Sequence, residues 1–272
     1  IKQISNDYVV ESKGIEYDCK ARGKFRKMEV SPLVGDEVEF DEKQKYILKI
    51  YPRKNELNRP RIANVDQAII IASLKQPDFD TNLLDKLLCI ITYNNIEPII
   101  IFTKSDLLTK DELDKFRTYF DYYKSIGYDC YMNYELDKII KIFKNKVSVF
   151  TGQSGAGKST LLNNLDKTLN IETGEISKAL NRGKHTTRHT ALLEVGEGLV
   201  ADTPGFSSLS FGEMTNDLIR DNFTEFNKYR YGCKYKDCMH NKEDECEIKN
   251  KVNEKIILKS RYDNYINFIT KG

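Results

Sequence analysis

The stretch Gly152–Ser159, GQSGAGKS, constrains the fold of this chain more than any other feature, because an apolar run (KVSVF) leads into it and an apolar helix start (LLNNL) leads out. It satisfies the pattern G-x-x-x-x-G-K-[ST], in which glycines let the backbone wrap an anion with its N–H groups inward. The helix that follows adds a dipole favourable to negative charge. Such a loop needs a strand before it and a helix after it, and the same texture recurs along the chain. DQAIIIASL, EPIIIFTKSD and GLVADTPG are apolar runs ending in polar or glycine-rich turns, with helical patterns such as TNLLDKLLCIITYN between them. Strands buried on both faces and alternating with helices predict a parallel α/β sheet covered on both sides, with ligands beyond the carboxyl ends of its strands.

Three of these turns carry chemistry. In the first, Lys158 is placed to reach the outer phosphates of a nucleotide and Ser159 to hold a Mg ion. DTPG, Asp202–Gly205, follows the strand LLEVGEGLVA; Asp202 is a candidate for binding Mg through water and Gly205 for offering a backbone N–H to the terminal phosphate. TKSD, Thr103–Asp106, is a candidate base reader: the Asp106 carboxylate accepts from N1–H and the exocyclic N2–H of guanine, a pattern adenine does not offer. Adenine there leaves a buried charge unpaired, at a cost of about 1 to 3 kcal/mol or more. Lys104 would lay its stem along the base and Thr103 steady the loop, while a helix cap at Ser105 or Asp106 is the plain alternative. The base reader precedes the phosphate loop, the reverse of the ordinary order. In a parallel sheet the site is assembled from strand ends, so opening the fold in one loop and joining the old termini leaves each strand end in place; the order is that of a circular permutation.

The flanks differ in texture. From Ile1 to about Arg59 apolar residues recur at every second position between turns, predicting a small antiparallel barrel of four to six strands. Lys20, Arg22, Lys24, Arg26, Lys27, Arg53, Lys54, Arg59 and Arg61 crowd around it, suiting an oligonucleotide-binding fold or forming a solvated face. After about Asn216 the sheet pattern stops, and IKNKVNEKIILKSRYDNYINFITK reads as a closing helix. Of six cysteines, Cys19, Cys89 and Cys130 are scattered and read as buried apolar residues, whereas Cys233, Cys238 and Cys246 crowd beside His240. Three thiolates and an imidazole close a tetrahedral zinc shell with no open position, which is a structural site. Lys234, Lys236 and Lys242 around it are candidates for RNA phosphates. The balance of 43 basic and 41 acidic residues, net +2, does not announce a nucleic-acid binder. No apolar run is long enough to span a membrane and the start lacks the form of a signal peptide, so the expected compartment is the cytoplasm. Because Ile1 is not a Met, a few native residues are expected before it.

The order TKSD, GQSGAGKST, RGKHTTRHT, DTPGF, then C-x4-C-x-H-x5-C resembles the circularly permuted GTPases of the small-ribosomal-subunit biogenesis family (RsgA, also called YjeQ or YloQ), over nearly the whole chain. The resemblance implies an OB-fold barrel over residues 1–61, a circularly permuted P-loop GTPase domain over 62–215 and a small α-helical zinc-binding domain over 216–272. It implies that Thr103, Lys104, Ser105 and Asp106 read guanine. It assigns the phosphates to Gly152, Gln153, Ser154, Gly155, Ala156, Gly157, Lys158, Ser159 and Thr160. Within RGKHTTRHT, Thr187 is the expected Mg contact, with Thr186 beside it, and His185 the residue that helps hydrolysis. Phe206 stands where many GTPases carry a water-orienting Gln, and a phenyl ring cannot orient water, which argues for His185 or for a low intrinsic rate. Two departures are visible: Thr103 stands for the usual Asn, and YDCYMNYELD lacks the usual Ser-Ala pair, leaving Met132 and Asn133 in its place. The implied function is a GTPase of late small-subunit (30S) maturation that binds rRNA. It is expected to be slow alone and stimulated by the subunit, to hold one Zn and Mg with GTP, and to be monomeric. A nucleotide-regulated RNA-binding module with negligible hydrolysis is the alternative.

Overall fold

The computed structural model describes residues 3–4, 7–23, 25, 30–58, 61–169, 171, 191–202, 211–212 and 214–271. Contacts cluster into two compact units, residues 1–69 with 133–207 and residues 70–132 with 208–272.

In the first unit a five-stranded sheet has the order β1-β2-β3-β5-β4. Its strands are β1 (Gln3–Ile4), β2 (Asp7–Ser12), β3 (Ile15–Ala21), β4 (Val38–Asp41) and β5 (Tyr46–Ile50). The alternation expected from sequence buries Val10, Cys19, Phe25 and Ile47, with Tyr17 and Phe40 against them at 5.1 Å between ring centroids. The arrangement is not purely antiparallel: β3 pairs with β5 in parallel, Lys20 opposite Tyr46. Strands separated by an intervening strand return by a crossover and not by a hairpin, giving the Greek-key order of a curled, OB-like sheet. A short hairpin, β6 (Glu56–Asn58) and β7 (Arg61–Ala63), follows. Arg53 ties the 31–36 turn to it, donating to Asp36 at 2.7 Å and to Glu56 at 2.6 Å; those bonds raise the guanidinium's already high pKa. Gly35 has φ +87°, and a Cβ there would lie 2.2 Å from the Ala63 carbonyl oxygen, so only glycine fits.

A six-stranded sheet has the order β10-β9-β8-β11-β13-β12, with β8 (Gln67–Ser73), β9 (Glu97–Thr103), β10 (Asp129–Met132), β11 (Val147–Gly152), β12 (Ala191–Val195) and β13 (Gly198–Asp202). β9 runs parallel to β10 and β11 parallel to β13, as the continuous apolar runs predict. LLEVGEGLVA is not one strand. Gly196 and Glu197, both at positive φ, make a two-residue turn that returns β13 antiparallel to β12. The first unit also holds helices α3 (Leu136–Ile142), whose Ile142 carbonyl accepts from Gln67 at the start of β8, and α4 (Lys158–Leu165).

In the second unit, α1 (Thr81–Tyr93) begins where Asp80 accepts from the Asn82 and Leu83 N–H groups and buries Leu84, Leu87, Leu88 and Ile91. A capping box of Thr109 and Glu112 starts α2 (Lys110–Ser125). Beyond come α5 (Asn216–Asp221), α6 (Phe226–Tyr229), α7 (Glu247–Asn253) and α8 (Lys259–Lys271). The stretch expected to be one closing helix is therefore two. Lys255 takes φ +61°, and the Ile256 and Ile257 N–H groups fold back to the Lys251 carbonyl, burying Ile257. The apolar centre here is Phe223, Phe226, Tyr265, Phe268, Ile219 and Ile248, with Cys89 of α1. Cys19, Cys89 and Cys130 are buried and free, as read from sequence.

Candidate functional site

The phosphate loop lies in the first unit. β11 is buried over Ser148–Thr151 and delivers the chain at Gly152; the turn has φ 131° at Gly152, 73° at Gly155 and 98° at Gly157, which caps α4. Side chains rarely adopt those angles, so the glycine spacing read from sequence is what lets the loop curl. Ala156 is fully buried under the turn and Ser159 is 7% exposed, while Ser154 and Thr160 face solvent. Lys158 folds back over the loop, its ammonium donating to the Gly152 carbonyl at 3.1 Å and the Gln153 carbonyl at 3.0 Å. Burial lowers its pKa, which an anion in the loop would counter. Beside this loop, β13 ends at Asp202, whose Cα partner is Ala191 at the start of β12. That pair closes the open end of the β12–β13 hairpin, and β13 runs parallel to β11. His185, Thr186, Thr187, Gly205 and Phe206 themselves lie outside the described residues.

The base-reading candidate lies in the second unit. Thr103 is buried at the end of β9 and Lys104 takes the left-handed conformation (φ 62°), turning the chain into the short 3-10 segment Ser105–Leu107. Asp106 is exposed there. Ser105 and Asp106 open that short turn, but neither makes a side-chain cap there: the residue before it is Lys104, with no capping bond. Parallel pairing sets Met132, the last residue of β10, opposite Phe102, the residue before TKSD. A loop that sequence reading passed over, residues 74–79, attaches to the same place: the Leu74 N–H donates to the Thr103 carbonyl at 3.0 Å and the Lys104 ammonium to the Gln76 carbonyl.

The metal candidate is also in the second unit. One ligand atom from each of Cys233, Cys238, His240 and Cys246 lies within 4.8 Å of the others, and three of the four residues are buried. His240 Nδ1 is 3.6 Å from Cys233 Sγ and 3.4 Å from Cys246 Sγ, and the two sulfurs are 4.0 Å apart. Zn–S bonds of about 2.3 Å and Zn–N bonds of about 2.0 Å put tetrahedral ligand atoms about 3.5 to 3.8 Å apart, so the donor set fits zinc through Nδ1. Burial pushes the Cys238 thiol up to about 12 and the His240 imidazole down to about 4. A buried cation reverses the cost for the thiolates and accepts the neutral imidazole. Around the ligands, the Tyr262 hydroxyl donates to the His240 carbonyl and the Tyr265 hydroxyl to the Met239 carbonyl, both at 2.7 Å. Glu243 accepts from the Met239 and Asn241 N–H groups, both at 2.8 Å.

Sequence reading also missed a buried ion cluster that holds the Cys/His region to α1. Arg261 on α8 is fully buried; it donates to Asp85 at 2.8 Å and to Glu225 at 2.8 and 3.2 Å, and lies over the Phe223 ring at 4.2 Å. Tyr123 donates to the same Asp85 oxygen, Oδ1, at 2.7 Å and Asn264 to Oδ2 at 2.6 Å. Its sequence signal was weak, since an Arg in a charged amphipathic helix reads as surface.

Residues 50–212 match the family model for the RsgA GTPase and residues 1–46 that for the RsgA N-terminal domain. The chain is 48% identical to small ribosomal subunit biogenesis GTPase RsgA 2 of Oceanobacillus iheyensis, covering 99% of this chain and 94% of that one. It is 44% identical to small ribosomal subunit biogenesis GTPase RsgA of Latilactobacillus sakei, covering 98% and 93%. Among solved structures it is similar to YloQ, described as a circularly permuted GTPase, with TM-score 0.84 and 38% identity over 99% of this chain and 92% of that one. It is also similar to YjeQ from Thermotoga maritima, with TM-score 0.83 and 33% identity over 98% and 94%.

Proposed function

The chain belongs to the RsgA GTPase family, and from that membership we propose that it hydrolyses GTP as an assembly factor of the small (30S) ribosomal subunit, its nucleotide state setting binding and release. The observation that carries this reading is the near-full-length likeness to relatives named for that activity. In this reading the chain comprises the OB-like domain (1–61), the permuted GTPase domain (62–215) and the zinc-binding domain (216–272). It works as a cytoplasmic monomer, and among the described residues no helix is long and apolar enough to cross a membrane.

Thr103–Asp106 take the guanine, with Asp106 pairing to N1–H and N2–H. Gly152–Thr160 and the Gly205 N–H take the phosphates, and Lys158 exchanges its two carbonyl partners for phosphate oxygens. Ser159, Thr187 and Asp202 are the residues that would hold Mg, which when bound neutralises charge developing on the phosphates. His185 assists the attacking water in place of the Gln that Phe206 displaces. Cys233, Cys238, His240 and Cys246 hold zinc as a structural ion.

Phosphate release by the purified protein, measured with and without isolated small subunits, tests the reading. Slow release that the subunits accelerate at least about tenfold is expected. Release unchanged by subunits, with binding to them intact, favours the RNA-binding module that Phe206 suggests. At the base, Asp106→Asn is expected to weaken GTP about tenfold or more and to favour xanthosine nucleotides, read by competition binding.

A further inference from the structure

The loop between β8 and α1 carries none of the residues assigned to the nucleotide, yet it is pinned at both ends and holds the base-reading turn. At its start Ser73 Oγ donates to the Lys75 carbonyl at 3.0 Å and the Leu74 N–H to the Thr103 carbonyl at 3.0 Å. Lys75 pairs with both carboxylate oxygens of Glu112, at 3.0 and 3.1 Å, and Glu112 belongs to the capping box of α2. At the far end the Phe79 ring packs edge-on against Phe102 at 5.9 Å, Phe116 at 5.6 Å and Tyr119 at 5.4 Å. Asp80 then caps α1. Between these anchors Gln76, at φ 55°, presents its carbonyl to the Lys104 ammonium.

We propose that residues 74–79 are a positioning element for guanine recognition, in which the Gln76 carbonyl sets the Lys104 side chain before nucleotide arrives. A lysine stem is among the most mobile of side chains, and laying it flat along a base costs the rotamer freedom it had. Lys104 is held at both ends, by its left-handed backbone at one and by the Gln76 carbonyl at the other. Its four methylenes are stretched between two fixed points as a preformed apolar strip. The ordering cost is then met in folding and not in binding, which raises affinity without a new contact to the ligand. Phe79 is a positioning residue in this scheme, acting on the base only through the loop and Lys104.

The inference rests on the reading of Thr103–Asp106 as the guanine reader. The test displaces a fluorescent GDP analogue from the full chain with GTP, XTP and ATP, alongside single-turnover and steady-state hydrolysis. Phe79→Ala is expected to raise the GTP dissociation constant and KM about five- to thirtyfold with kcat at saturating GTP within about twofold, and Phe79→Leu to restore most of the affinity. Lys75→Ala, a surface change that frees the same loop from Glu112, is expected to weaken GTP about two- to fivefold even if Phe79→Ala melts the fold. Combined with Lys104→Met, Phe79→Ala is expected to add nothing, since a methionine has no ammonium for the Gln76 carbonyl to hold and the loop then positions nothing. GTP binding unchanged in the folded Phe79→Ala and Lys75→Ala proteins, or losses that add in full to that of Lys104→Met, would overturn the inference while leaving the base reader standing. Guanine selectivity unchanged in Asp106→Asn would overturn the base reader and the inference with it.

Discussion

Lys158 shows how one side chain can be built for a ligand. Its ammonium rests on two carbonyls of the loop it is to serve, in a site dry enough to lower its pKa. Lys158→Met is expected to weaken GTP binding at least tenfold, by about 1.4 kcal/mol or more, with little change in melting temperature, because the free protein loses only two hydrogen bonds to half-buried loop carbonyls. Gly35 carries the opposite kind of demand. Its positive φ and the Ala63 carbonyl beneath it make Gly35→Ala costly by about 1 to 3 kcal/mol, read as a lower midpoint in urea. At Glu243 burial alone would raise the carboxyl, but hydrogen bonds from its own backbone N–H and from the Met239 and Asn241 N–H groups outweigh it and hold the carboxyl below its usual value. The stabilisation from this carboxylate is therefore complete above the unfolded carboxyl pKa of about 4.3 and is lost as pH falls through the lower folded value. The melting-temperature gap between the wild type and Glu243→Leu is expected to be constant from neutral pH to about pH 5 and to narrow below it.

Among the elements, α8 decides most. Its sequence pattern announces an amphipathic helix, but not that Arg261 faces inward to Asp85 on α1 and Glu225 before α6. Asp85→Ala strips the buried guanidinium of one of its two carboxylates, takes the acceptor from the Tyr123 hydroxyl and leaves the Asn264 amide with Thr81, and is expected to cost about 3 to 5 kcal/mol by urea unfolding. Arg261→Met with Asp85→Leu and Glu225→Leu is expected to recover most of that loss, because an apolar replacement leaves no charge behind. The hairpin β12–β13 and the paired helices α7 and α8 show where periodicity alone falls short. Gly-Glu reads as a pause in a strand and Lys255 as one more helical charge, but each takes a positive φ, the first closing the β12–β13 turn and the second ending α7.

At the scale of the whole molecule, the two compact units do not follow the chain: the OB-like sheet clusters with the glycine-rich loop after β11, and the Cys/His region clusters with β9 and β10. Stripping zinc with a chelator is therefore expected to speed amide exchange in α1 and β9 as well as over residues 216–271, while β5 and α4 keep their protection. Metal analysis of the intact chain is expected to give one zinc, lost in Cys246→Ser. The glycine-lined loop after β11, the turn after β9 and the Cys/His knot were legible in the sequence because each is local: a few residues at set spacing specify the backbone or the donor set by themselves. The permuted order was legible for the same reason, since order along the chain is what a sequence states directly. The parallel β3–β5 pair, the inward Arg261 and the grip of residues 74–79 on Lys104 were decided only by tertiary structure. Each joins groups far apart in the chain, and which distant partner a buried charge or a free carbonyl meets is settled by packing, not by its neighbours in sequence.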